Sequence, residues 1–183
     1  PIPACWASTT RAMAAKAIEF DQARLIKIKL GGHDTVDLER VRAIRQARPD
    51  ARLIVDANGG WTLPRLAQLA PELAQLQVKL IEQPLPPGQD AGLAEYRSPV
   101  PLCADESCLD RGSLPQVRGR YQYINIKLDK TGGLTEALAL ARAARADGIG
   151  LMVGCMVGTS LAMGPAMLIA QLAEFVDLDG PVL

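Results

Sequence analysis

The sequence predicts an α/β protein of the (β/α)8 barrel class (TIM type), and three observations lead there. Short apolar runs alternate with longer amphipathic ones along the whole chain of 183 residues. Seven short runs read as strands, at roughly 25–30, 51–56, 78–82, 101–105, 122–127, 149–153 and 174–178. The first five end on charged residues in a set order: Lys29, then Asp56, Glu82 and Asp105, then Lys127. Alternating strands and helices imply right-handed βαβ units on a parallel sheet. Charged groups at the carboxyl ends of such strands face a barrel's open mouth.

The elements follow in order. PIPACWAS is poorly patterned and stands where a first strand belongs; RAMAAKAIEF after it has helical spacing. RLIKIKL is the first clear strand, and DTVDLERVRAIRQARP is an amphipathic helix that Asp34 or Thr35 is placed to cap. LIVDANGG brings the next strand, then the helix of TLPRLAQLAPELAQL begins at Thr62 and Pro64, where Pro71 predicts a kink or break. VKLIEQP, LCADES and YQYINIKL are three further strands. TEALALARAARADG is helical and closes at Gly148. The competing architecture is a doubly wound open sheet, which usually carries a Gly-rich phosphate turn after its first strand; no GxGxxG occurs here. Complete barrels run from about 200 residues upward, so residues 1–183 are expected to be one barrel domain of a longer protein.

Composition narrows the partners. Half the chain is apolar (49%) and only 4% aromatic, which suits an Ala/Leu/Val-rich interior. Lysines and arginines balance aspartates and glutamates at 20 each, so no basic stripe is available for nucleic acid. No apolar run approaches a membrane span, and no charged-then-apolar leader is visible, so a soluble cytoplasmic protein is expected. Cys5, Cys103, Cys108 and Cys155 form no CxxC and no zinc spacing, and are expected as reduced structural thiols. The lone His33 follows two glycines and reads as a solvated loop residue.

A strand's side chains alternate between barrel interior and helix layer. Lys27 and Lys29 therefore share a face, with Ile26, Ile28 and Leu30 on the other. Asn125 and Lys127 repeat the pattern, and so do Asp177 and Asp179 after the last strand. Buried charge is expensive unless it serves a site. Three neighbouring strand ends, about 5 Å apart, would let Asp56, Glu82 and Asp105 converge on one hard cation, for which an all-oxygen set suits Mg²⁺. Strands four apart in a ring of eight would place Lys29 and Lys127 on opposite sides of a substrate carboxylate. Removing a proton alpha to a carboxylate produces an enediolate, which a cation stabilises as a Lewis acid. The base must be neutral near pH 7, a state that burial and cationic neighbours favour in lysine. Two lysines on opposite faces permit removal from one side and return from the other, inverting the carbon.

Each piece also has a plainer meaning. A KxK at a strand end is usually a solvated edge, and an acid after a strand is often a helix cap. DANGG has the opening of a calcium loop, but its twelfth position is Ala67. LDKTGG lacks the GxxxxGK[ST] of a phosphate loop. The five charged strand ends in this order are what make the pattern specific.

KIKLGG, VDANGGW, LIEQP, ADES, INIKLDKTGG and DLDGP together resemble the barrel domain of the enolase superfamily, muconate-lactonizing-enzyme subgroup, from about Met13 to Leu183. The resemblance implies Mg²⁺ on Asp56, Glu82 and Asp105, acid/base lysines at Lys29 and Lys127, and Lys27 in support. The ending DLDGP after MVGCMVGTSLA is similar to the dipeptide epimerases, L-Ala-D/L-Glu epimerase among them. There the acids matching Asp177 and Asp179 bind the dipeptide's ammonium group, as paired carboxylates suit a cation. The implied protein is a Mg²⁺-dependent isomerase of dipeptides and a homo-oligomer at full length. The family's N-terminal capping domain and part of the first strand would lie outside this chain. Acylamino acid racemisation, succinylbenzoate synthesis and cycloisomerisation are the neighbouring reactions, and a non-catalytic barrel piece is the alternative of another class.

Overall fold

A computed structural model describes residues 4–5, 9–31 and 36–182. Its internal contacts divide it into two compact units, residues 2–102 and 103–183.

The first unit runs β1 (Ala4–Cys5), α1 (Thr10–Glu19), β2 (Leu25–Lys29), α2 (Asp37–Ala47), β3 (Arg52–Asp56), α3 (Leu63–Gln75) and β4 (Val78–Glu82). Its strands pair in parallel and in chain order, with Lys29 opposite Asp56 and Asp56 opposite Glu82. The poorly patterned opening segment does contribute a strand, set against Lys27 and Ile28. Ile26, Lys27 and Ile28 are all buried, as a strand covered on both faces requires.

Thr9 caps α1 by accepting from the Ala12 amide, and Thr62 caps α3 by accepting from the Arg65 amide. α2 begins after Val36 without a side-chain cap; Asp34, Thr35 and His33 lie outside the described residues. α3 passes through Pro71 unbroken, so of the expected kink or break the break does not occur. Leu66, Leu69, Ala70 and Leu73 bury one face of that helix. Pro71 and Ala67, whose carbonyl loses its helical donor, are both exposed. Water can serve that carbonyl, so burial of the apolar face outweighs the missing bond.

Arg48, at the end of α2, fastens the base of this unit. Its guanidinium donates to the carbonyls of Ala17 (3.2 Å), Phe20 (2.6 Å) and Ala23 (2.7 Å) and to Asp50. Arg48→Met should strand those carbonyls and cost on the order of 3 kcal/mol, read as a lower urea midpoint with unchanged slope.

The second unit takes up β5 (Leu102–Ala104) from Cys103 on, then α4 (Leu114–Val117), β6 (Tyr123–Ile126), α5 (Leu128–Thr131), α6 (Leu134–Ala146), β7 (Gly150–Val153), α7 (Ser160–Ala170) and β8 (Phe175–Val176). These strands too are parallel and ordered as in the chain. Neither unit shows the reversal of strand order that marks a doubly wound sheet. Gly150 makes room for the Tyr123 ring, which meets Phe175 edge to face at 5.5 Å. Gly148, at φ +73°, closes α6 as the sequence predicts. Cys103 and Cys108 are buried free thiols and Cys155 a half-buried one. Among the described residues no helix is long and apolar enough to cross a membrane.

Candidate active site

Each unit carries its own cluster of lysine and carboxylate at the carboxyl ends of its strands. In the first, Lys27 Nζ lies 3.1 Å from Asp56 Oδ2 and 2.8 Å from Glu82 Oε2, and Lys29 Nζ donates to Asp56 Oδ2 at 2.6 Å. Lys27, Asp56 and Glu82 are buried, whereas the Lys29 side chain is 36% exposed. Lys27 and Lys29 both reach Asp56 Oδ2, as residues on one face of β2 do. Burial pushes the Asp56 carboxyl upward, but the charges of Lys27 and Lys29, with bonds from Lys29 and the Asn58 amide, bring it below its ordinary value.

The loops that carry these groups interlock. The Leu30 amide donates to Asp56 O, Ala57 to Glu82 O, Gly59 to Gln83 O and Trp61 to Pro84 O, at 2.7–3.0 Å. A Cβ on Gly31, whose φ is +85°, would run into the Ala57 carbonyl, and one on Gly60 into the Gly31 carbonyl. Only glycine permits that approach. Asp37 completes the brace: its Oδ2 accepts from Trp61 Nε1 at 2.8 Å and from the Gly31 amide at 3.4 Å. Residues 29–31 and 56–61 are thus two halves of one packed corner.

In the second cluster, Asp105 follows β5 and is held by two lysines. Lys127 Nζ donates to its Oδ2 at 2.6 Å and Lys130 Nζ to its Oδ1 at 2.7 Å. Burial pushes this carboxyl up, yet Lys130 and Lys127 together draw it down to about 2. Because the folded value lies below the ordinary 3.8, its contribution to stability is complete above about pH 4 and lost as pH falls toward 2. Urea midpoints recorded across that window should fall less steeply for Asp105→Asn than for the unaltered chain.

Asp177 and Asp179, just past β8, are buried, and the Asp177 amide donates to Val153 O at 2.8 Å. Burial raises the Cys155 thiol; the Gly180 amide opposes this, Asp177 and Asp179 add to it, and Lys127 also opposes it. One thiol thus feels both acids and the lysine. Asn125 is buried as well, and a Cβ on Gly154 would come within 2.8 Å of its amide.

The predicted residues fall in two sets: Lys27, Lys29, Asp56 and Glu82 meet in one unit, and Asp105 meets Lys127 in the other, where Asp177 and Asp179 also lie. Among the described residues, no three acids, thiols or imidazoles gather as a ready metal site. The chemistry of the first set nevertheless fits a hard cation. Two buried carboxylates already share one positive nitrogen within 3.1 Å of both, and hard cations favour anionic oxygen. Sequence reasoning assigned no role to Lys130, Asp37 or Trp61. Lys130 lies three residues after Lys127, and the single turn of α5 returns it to Asp105; that spacing was the available signal.

Parallel strands in chain order with helices between them fit an incomplete (β/α)8 barrel. Residues 9–178 match the model of the enolase C-terminal domain-like family, and the chain belongs to that family. It is 54% identical over 159 residues to the L-Ala-D/L-Glu epimerase of Escherichia coli (strain K12), covering 87% of this chain and 49% of that protein. It is 50% identical over 175 residues to the N-acetyl-D-glutamate racemase of a Pseudoalteromonas species, covering 96% and 55%. A crystal structure of an Agrobacterium tumefaciens enolase family member with homology to dipeptide epimerases, with bound sodium and L-Ala-L-Glu, superposes with a TM-score of 0.94. That protein is 50% identical, with 98% of this chain and 55% of that one covered. The chain spans about half the length of the curated relatives it matches.

Proposed function

We propose that the protein to which this barrel portion belongs is a Mg²⁺-dependent dipeptide epimerase, inverting the α-carbon of the C-terminal residue in a dipeptide such as L-Ala-L-Glu. The observation that carries this reading is a repeated device. In each unit a lysine at a strand end donates, at 2.6 Å, to a buried aspartate at a neighbouring strand end. Such an ammonium is held in place to return a proton to the substrate. Lys29 and Lys127 are the acid/base pair: one takes the α-proton, leaving an enediolate, and the other returns a proton to the opposite face. Asp56, Glu82 and Asp105 are the residues for Mg²⁺. Bound there, the cation would stabilise the charge that develops on the substrate carboxylate. Lys27 holds Asp56 and Glu82 in one place, and Asp177 with Asp179 receives the dipeptide's ammonium group. The similar E. coli and A. tumefaciens proteins support a dipeptide as substrate.

A second reading rests on the Pseudoalteromonas relative, named for an N-acetylated amino acid, which has no free ammonium. Asp177→Asn and Asp179→Asn separate the two in the intact protein. For a dipeptide epimerase each should raise KM for L-Ala-L-Glu at least about 30-fold, roughly 2 kcal/mol of lost charge pairing. Unchanged KM, together with turnover of N-acetylglutamate, would favour the second reading. Absence of Asp56-dependent Mg²⁺ binding in a titration would instead indicate a non-catalytic barrel.

A further inference from the structure

Lys130 is a heavily engaged ammonium group in the second unit. Its Nζ lies within donor distance of four acceptors: Asp105 O at 2.6 Å, Asp105 Oδ1 at 2.7 Å, Asn125 O at 2.7 Å and Cys108 O at 2.9 Å. An ammonium has three protons to donate, so these four acceptors take all of them. Lys130 therefore has no proton left for a substrate, although it lies beside the proposed acid/base lysine. What it does is tie three points of the chain together: the loop after β5, the end of β6 and the Asp105 side chain.

The division of the Asp105 carboxylate is what matters for chemistry. Lys130 takes Oδ1 and Lys127 takes Oδ2. With Oδ1 and its own backbone carbonyl both fixed on one nitrogen, Asp105 can turn about neither side-chain torsion without losing a charge-assisted bond. Oδ2 is thereby aimed, and Oδ2 is the atom that holds Lys127. We propose that Lys130 is a positioning residue: it sets the direction of Asp105, and through Asp105 the place of the Lys127 ammonium. This rests on the two-lysine reading above. It adds that the Lys127 hand of the reaction depends on a residue that the Lys29 hand does not need. In the first unit Asp56 is oriented differently, by Lys27 and by the Asn58 amide on its Oδ1 at 3.0 Å.

The test uses the intact protein and its Lys130→Met and Lys130→Arg variants. The stereoisomer whose α-proton Lys127 removes is first identified as the one that stops exchanging in Lys127→Ala. In D₂O with Mg²⁺ at saturation, so that a weaker hold on the cation at Asp105 is offset, Lys130→Met should slow exchange from that isomer at least tenfold more than exchange from its epimer, with KM for either changed less than threefold. Lys130→Arg, which keeps a charged donor, should recover part of the loss. A merely structural role would slow both isomers alike, and that result would overturn the proposal. A crystal structure of Lys130→Met supplies an arm that needs no activity. Asp105 Oδ2 and Lys127 Nζ are expected to part beyond hydrogen-bond reach, and persistence of their 2.6 Å contact would contradict the assignment. If the unaltered protein exchanges neither isomer, the epimerase reading fails while the crystallographic arm still decides this one.

Discussion

Lys127→Ala in the intact protein should lower epimerisation of L-Ala-L-Glu by roughly 10²–10⁴-fold, the usual contribution of a positioned general acid or base. Lys29→Ala should do the same. The more telling feature is what each variant retains. Inversion needs both amines, but removal of a proton from one face needs only one. Each variant should therefore still exchange the α-proton of one stereoisomer and not of the other, with opposite preference. Each amine is seated on its own aspartate, Lys29 on Asp56 and Lys127 on Asp105, so removing one leaves the other seat intact. Exchange read by NMR in D₂O distinguishes this from general damage, which would suppress both isomers in both variants.

The second large effect concerns stability. Lys27 is a fully buried cation between two fully buried carboxylates. Lys27→Met retains much of the aliphatic volume and deletes the charge, leaving Asp56 and Glu82 as like charges out of water. Breaking one side of a buried ion pair typically costs about 3–5 kcal/mol. The same order is expected here, as a fall in urea midpoint at neutral pH. The deficit should shrink as pH falls through the carboxylate range, because protonation removes the stranded charge. Lys29→Ala should cost far less, since Lys29 is 36% exposed and water screens its pairing. A Lys27→Met variant as stable as the unaltered chain at pH 7 would mean that those carboxylates do not depend on it.

Strands were the most legible part of the fold because they are short apolar runs, the first five of them closed by a charged residue. β2 and β4 begin and end within a residue of where the pattern puts them. The helices with one apolar face were legible too, α3 above all. α7 was not: SLAMGPAMLIA is apolar on every side and holds an internal glycine and proline, so no period stands out. β1 escaped clear definition because two residues carry no pattern. That α3 would continue past Pro71 was not legible, because the buried face that holds the helix together there exists only in the fold. In the site, lysines and acids were visible because charge at the end of an apolar strand is costly without a purpose. Lys130 and Asp37 were hidden because their partners are distant carbonyls, an indole and a carboxylate, which spacing alone does not reveal. Gly31 and Gly60 stood in plain view, yet their reason, the carbonyls pressed against them, exists only in three dimensions.

Incubating the intact protein with L-Ala-L-Glu in D₂O and Mg²⁺ is the most direct measurement of the central claim. Deuterium should enter the glutamyl α-position, L-Ala-D-Glu should accumulate, and both should cease in Lys29→Ala/Lys127→Ala. Substrate that stays undeuterated with every dipeptide tried, or label that still enters in the double variant, would contradict it.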